Sequence, residues 1–174
     1  MRKAIRNATM AGAFLTTMFA GTTAADALSP VSPKPQTGKH CVTVLKKLKP
    51  GQTESEIVSH QCSDNKEALV MPSAALVLAE LYEHINHKGA SWLLVGYDGS
   101  CDSSGYAVPD IGWLWSNVAS SARTQYECSR LEAYDLPSYR GASRAWQRPG
   151  SWLITVPDMG DFNDKLTSFR VKRV

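Results

Sequence analysis

Apolar residues first gather in a short run, ATMAGAFLTTMFAG, behind the basic stretch MRKAIRN, and Ala25-Asp26-Ala27 follows as a small-x-small site. The run is well short of the roughly 20 residues that span a bilayer, so it predicts a secretory leader over residues 1–27, cleaved after Ala27, rather than a membrane anchor. From Leu28 to Gly38 the apolar period vanishes into Ser, Pro and Lys, which predicts an extended tether over 28–40. It returns in CVTVLKKL, with Val42 and Val44 on one face of a strand, then a turn at Lys49-Pro50-Gly51 and a second arm from Glu56 to Gln61 that ends at Cys62. SDNKE and Met71-Pro72-Ser73 break the pattern, so residues 41–73 form one unit and a second begins at 74. Ala74 to Tyr82 is ambiguous. Ala, Leu and Glu favour helix, whereas alternation of Leu76, Leu78, Glu80 and Tyr82 with Val77, Ala79 and Leu81 allows a strand.

Beyond Tyr82 the pattern repeats itself. YEHINHKG at Tyr82–Gly89 is answered by YDLPSYRG at Tyr134–Gly141, an aromatic, six residues and a glycine, 52 positions apart. Each glycine opens a Gly-Ala-Ser tripeptide, Val108-Pro109-Asp110-Ile111-Gly112 returns as Val156-Pro157-Asp158-Met159-Gly160, and each copy ends in a polar turn, SNVASSART and NDKLTSFRV. Four landmarks in one order, rich in aromatics and turn residues, predict an all-β duplication packed as a sandwich.

These residues resemble the βγ-crystallin family, whose Greek-key motif carries an aromatic, six residues and a Gly in a folded hairpin, then (N/D)(N/D)xx(S/T)S. The second copy fits throughout; in the first, Ser116 stands where Asn or Asp is usual, while Asn117, Ser120 and Ser121 match. The resemblance covers Val77 to Val174 and implies a double Greek-key β-sandwich over 74–174, with motifs at about 77–125 and 126–174, behind an N-terminal disulfide-pinned β-arm. The arm, with CVTVL and SHQC, is similar to the N-terminal extension of secreted actinobacterial crystallin-like proteins. Physically, Gly89 and Gly141 offer a position that tolerates positive φ and lets the rings of Tyr82 and Tyr134 lie against bare backbone. The resemblance further implies that Ser121 and Ser168 satisfy backbone groups of those hairpins.

Cysteine and charge narrow the setting. Cys41, Cys62, Cys101 and Cys128 permit three pairings; locality favours Cys41–Cys62 and Cys101–Cys128, each stabilising the fold by about 3 kcal/mol in the chain-entropy model. A zinc site from Cys41, Cys62, His40 and His60 is the competing reading, but no CxxC or HxxxH clamp supports it and export favours oxidation. Of the formal +3 charge, the leader's Arg2, Lys3, Arg6 and Asp26 account for a net +2, leaving a nearly neutral chain. That lacks the footprint of a nucleic-acid or anionic-membrane binder, so a secreted, extracellular monomer is expected.

Calcium is the best candidate cofactor. Asn163, Asp164 and Thr167 in the second turn and Asn117 and Ser120 in the first supply hard oxygens, and in the family the two turns complete each other's sites. Only Asp164 brings charge, so the expected affinity is roughly 10⁻⁴ M or weaker; the alternative is ordinary turn residues bonded to backbone. His84 and His87 lack a third ligand for zinc. No GxSxG, phosphate loop or free cysteine is present, and a carboxylate pair such as Glu80 with Asp98 carries no weight by composition, so the chain is read as no enzyme. Trp92, Trp113, Trp115, Trp146 and Trp152 are expected to fill the space between sheets, with a sugar-binding aromatic face as the alternative. In SFRVKRV, the basic residues Arg170, Lys172 and Arg173 are expected to guard an edge strand. The resemblance also reaches metalloproteinase inhibitors and killer-toxin-like antimicrobial proteins, whose partner would be an extracellular protease or a cell-surface target; a Gly99–Ala107 loop stiffened at Cys101 is the inhibitory candidate.

Overall fold

A computed structural model describes residues 38–174, so the expected leader and the tether up to residue 37 lie outside the described residues. Ten strands follow in order: β1 His40–Leu45, β2 Ile57–Ser63, β3 Leu76–His84, β4 Lys88–Gly96, β5 Tyr106–Val108, β6 Ser121–Thr124, β7 Arg130–Leu136, β8 Arg140–Gln147, β9 Ile154–Val156 and β10 Ser168–Lys172. Among the described residues helix is confined to three single 3₁₀ turns, and none is long and apolar enough to cross a membrane.

The strands form two sheets, ordered β2-β1-β4-β3-β6-β9 and β5-β10-β7-β8. Without the arm strands β1 and β2, each half of the repeat places three neighbouring strands in one sheet (β4-β3-β6, then β8-β7-β10) and lends its remaining strand, β5 or β9, to the other half's sheet. This exchange makes a double Greek-key sandwich in which neither half has a complete sheet alone. The ambiguous segment is strand: β3 pairs with β4 on one side and β6 on the other. Two ladders of hydrogen bonds, with Leu78, Ala79 and Leu81 buried, outweigh a helix preference of a few tenths of a kcal/mol per residue, about the size expected of propensity alone.

The expectation for SFRVKRV is corrected. β10 is not an edge; it lies between β5 and β7. Phe169 and Val171 face the core, so Arg170 and Lys172 point to the outer face of the four-stranded sheet, where Arg170 stacks on the Tyr139 ring at 3.8 Å and Lys172 approaches Glu132. A central strand with one wet face carries charge just as an edge does.

Both sheets feed one core, with Leu78, Leu81, Trp92, Leu94, Tyr106, Leu131, Leu166, Phe169 and Val171 all buried. The expectation that all five tryptophans fill it is also corrected. Trp92 meets Phe169 edge to face at 5.5 Å, Trp115 is buried, and Trp146 is half-buried against Phe162, but Trp113 and Trp152 are 77% and 70% exposed. Both sit in loops beyond the reach of the facing sheet.

The arm docks by extending a sheet. β1 runs parallel to β4, with Cys41 beside Trp92, and antiparallel to β2, with Cys41 opposite Cys62. Disulfides join Cys41–Cys62 and Cys101–Cys128. Val42 and Val44 share a face, as alternation predicts, and with Leu93 and Val95 they form a second small core on the outside of the sheet, packed by Leu69, Ala75 and Val77. The connection from β1 to β2 reaches the other sheet: Leu48 N–H donates to Gly105 O, and Ser55 N–H donates to Ala107 O while Ala107 N–H returns to Ser55 Oγ. The outer edge of β5 is thereby covered.

Candidate functional site

The two folded hairpins have the same wiring. In the first, Ser121 lies opposite Tyr82, its Oγ donating to His84 O at 2.6 Å and accepting from His87 N–H at 3.0 Å. In the second, Ser168 lies opposite Tyr134, donating to Leu136 O at 2.7 Å and accepting from Tyr139 N–H at 3.0 Å. The Val-Pro-Asp segments cross over: Asn86 N–H donates to Pro157 O and Ser138 N–H to Pro109 O, so each half caps the other's hairpin. Gly89 and Gly141 have φ of +80° and +78°. The atoms nearest their bare faces belong to Glu83 and His84, and to Asp135 and Leu136, rather than to the tyrosine rings. Tyr82 and Tyr134 instead meet His87 and Tyr139 edge to face, at 5.3 and 5.7 Å.

The polar turns between the halves also cross. Asn117 and Asp164 both take positive φ, 62° and 55°, and their N–H groups donate to Leu166 O and Ala119 O of the opposite turn. Each side chain then meets a hydroxyl from the other half. Ser120 Oγ donates to Asp164 Oδ1 at 2.8 Å, and Thr167 Oγ1 donates to Asn117 Oδ1 at 3.4 Å. Thr167 is also 2.8 Å from Ser116 Oγ. The Asp164 end opens into a cleft of about 490 Å³ bordered by Glu83, His84, Ile85, Asn117, Ser120 and Asp164.

The fold therefore brings Asp164 to Ser120 and Asn117 to Thr167. It takes Asn163 elsewhere: its amide donates to Asp158 Oδ1 at 3.0 Å, within its own loop. The groups that meet across the crossing are oxygen donors, the Asp164 carboxylate, the Ser120 hydroxyl and the Asn117 amide, with the Glu83 carboxylate and the His84 imidazole elsewhere on the cleft border. Such a set suits a hard dication with a large shell and not zinc or copper. Calcium held here would be bound by Asp164 and Ser120 and would supply charge neutralisation between the turns. Among the described residues the one trio of His, Cys, Asp or Glu close enough to share an ion is Cys41, His60 and Cys62, and its sulfurs are joined to each other. His84 and His87 belong to no such trio; His87 lies against Tyr82, with Nε2 3.2 Å from Ala122 O.

A second repeated cluster escaped the sequence reading. Glu80 stands two before Tyr82 and Glu132 two before Tyr134, while Arg123 stands two after Ser121 and Arg170 two after Ser168. Buried Glu80 accepts from Tyr82 OH at 2.6 Å and from Arg123 Nε at 3.0 Å. Burial pushes the Glu80 carboxyl up, but the bonds from Arg123 and Tyr82 more than reverse it and hold it below its ordinary range; burial and Glu80 push the Tyr82 phenol up. Glu80 is thus an anion held by Tyr82 and Arg123, while the Asp98 carboxylate accepts from Lys47 N–H.

No protein-family model matches the chain. No curated protein matches it either. Among solved structures it is similar to βγ-crystallin domains. One from Clostridium beijerinckii is 19% identical over 55% of this chain and 97% of its own, with a TM-score of 0.40. One from an archaeon is 16% identical over 55% and 96%, at 0.39, and a βγ-crystallin of Ciona intestinalis is 17% identical over 54% and 98%, also at 0.39. At these scores the likeness adds nothing to the strand exchange, which rests on this chain's own pairings.

Proposed function

We propose that the chain is an exported, non-catalytic structural protein of βγ-crystallin type that takes up calcium weakly between its crossed turns. One observation carries the reading: Ser120 of the first turn and Asp164 of the second meet at 2.8 Å in a cleft that Glu83 and Asn117 also border. An ion there would tie the two halves together and add stability by mass action, about 1.4 kcal/mol at 1 mM calcium for a dissociation constant near 10⁻⁴ M. The two disulfides accord with an oxidising destination.

This reading is preferred to that of a proteinase inhibitor, which must offer free, extended backbone to a cleft. In the 99–107 loop the backbone is engaged internally: Cys101 N–H donates to Tyr126 O, Arg173 N–H to Asp102 O, and Gly105 O accepts from Leu48 N–H. Calorimetric titration with calcium, beside Asp164→Ala, tests the proposal. Heat and a raised melting temperature that disappear in the variant are expected; a melt unchanged between chelator and millimolar calcium removes the metal. Export is checked separately by sequencing the amino terminus of the protein in culture medium, expected to begin at Leu28.

A further inference from the structure

Neither the shared core nor the crossed turns account for Trp152, which is 70% exposed on the loop before β9. It borders a pocket of about 350 Å³ together with Ser103, Glu127, Ser151 and Arg173. That volume is at the lower end of the ~300–1,000 Å³ typical of small-molecule sites.

The backbone that presents this pocket is strained in its own way. Among non-glycine residues with positive φ, Asn86 and His87 match Ser138 and Tyr139, and Asn117 matches Asp164, each pair occupying equivalent places in the repeat. Tyr126 and Glu127, at 51° and 64°, have no counterpart. Consecutive left-handed residues with full side chains persist only where the surroundings over-determine them. Here Cys101 N–H donates to Tyr126 O, Glu127 N–H donates to Trp152 O, and the Cys101–Cys128 bridge closes beside them. The strained pair thus fastens the tryptophan's backbone and turns the Glu127 carboxylate to Arg173, 3.1 Å away. The result is an aromatic side chain in water on a fastened backbone, beside a carboxylate, a guanidinium, two hydroxyls and the Val174 side chain.

We propose that this pocket binds a carbohydrate, one pyranose ring laying its C–H face on the Trp152 indole with its hydroxyls bonded to Glu127 and Arg173. The chemistry selects this class. A protein partner would need an extended desolvated apolar core, and here the large apolar side chains are only Trp152 and Val174, set among Ser103, Glu127, Ser151 and Arg173. An anion would need unbalanced positive charge, and Arg173 is paired with Glu127. A sugar offers the matching arrangement, an apolar face edged by donors and acceptors together.

Depletion of the full exported chain from solution by insoluble cellulose, chitin, xylan and peptidoglycan tests this, followed by calorimetry with the matching soluble oligosaccharide. Retention on at least one polysaccharide is expected, weakened about tenfold by Trp152→Ala and weakened also by Glu127→Gln. Trp113→Ala, at an equally exposed ring outside the pocket, and Asp164→Ala, at the calcium cleft, should retain wild-type binding, so the two proposals fail independently. All variants are compared at matched melting temperature. No retention of the wild type on any of the four, or equal retention of wild type and Trp152→Ala, or equal loss in Trp113→Ala, overturns the proposal.

Discussion

The turn that leads into Ser121 and the turn that leads into Ser168 share a backbone and differ in chemistry. In both, the second residue is left-handed, its N–H crosses to the opposite turn, and its side chain meets a hydroxyl from the other half. At Asp164 that side chain is a carboxylate at 2.8 Å from Ser120, facing a cleft with Glu83 on its rim. At Asn117 it is a neutral amide at 3.4 Å from Thr167, and Thr167 is already held by Ser116 at 2.8 Å. The Ser116 hydroxyl closes the second crossing without an ion, where an acid would add charge that needs one. What the halves share is therefore the part that folds the chain; what they do not share is the charge on which the proposed calcium site depends. The duplication conserved geometry and let the electrostatics diverge.

The widest effects should come from breaking what is common. Ser121→Ala and Ser168→Ala each remove two hydrogen bonds, to a part-buried backbone carbonyl and N–H, and at the usual net worth of a hydrogen bond each should cost about 1–3 kcal/mol in urea denaturation. Because the two serines do the same job at the same distances, the two losses should agree within about 0.5 kcal/mol, the usual scatter for equivalent, separate sites. A loss confined to one of them would mean that the hairpins are alike in shape but not in strength.

Much of this common part was legible before any coordinates, and for a physical reason. A hairpin that needs a positive φ at one position and a small hydroxyl at another admits few residue types, so Gly89, Gly141, Ser121 and Ser168 stand out. Burial is another matter. Trp113 and Trp152 read like Trp92 and Trp115 because residue type does not say whether a loop carries the ring beyond the facing sheet. Glu80 carried no weight by composition, although the repeat of Glu80 and Arg123 as Glu132 and Arg170 was the available signal. Nor could charge locate β10, since a wet face of a central strand is as polar as an edge. The parallel docking of β1 on β4 left no trace either: alternation puts Val42 and Val44 on one face but says nothing of which strand pairs with β1, and both of its faces are covered.

The difference between the crossings can be sharpened by moving the missing charge. Ser116→Asp removes the hydroxyl that closes the Asn117 end and supplies a carboxylate beside Asn117 and Thr167. Without calcium it should lose about 1 kcal/mol, the worth of one hydrogen bond. With millimolar calcium it should regain that or more, and the titrated stoichiometry should rise from one to two. An unchanged stoichiometry would show that charge alone does not separate the two ends.

The smallest effect is expected from the clusters on the outer faces, and it is a matter of pH. Glu80 sits 8% exposed between Arg123 and Tyr82, whereas its counterpart Glu132 is 3.4 Å from Tyr134 and shared between Arg130 and Lys172. Against burial, which alone would raise it, the bonds from Arg123 and Tyr82 keep the Glu80 carboxyl lower in the folded chain than in the unfolded one. Its contribution is therefore complete above the unfolded carboxylate range, near pH 4.5, and drains away as pH falls through the lower folded value. Asp102 also sits below its ordinary range, burial notwithstanding, because Ser104, Gly105 and Lys47 bond to it; Asp158 does so through Gly160 N–H and the Asn163 amide. Glu80→Gln should accordingly flatten only part of the acid limb of the stability curve, by about 1 kcal/mol or less between pH 6 and pH 3, since Arg123 remains half in water. An acid limb identical to wild type would mean that Tyr82 and Arg123 hold a neutral amide as well as an anion, and that the cluster is a matter of shape rather than charge.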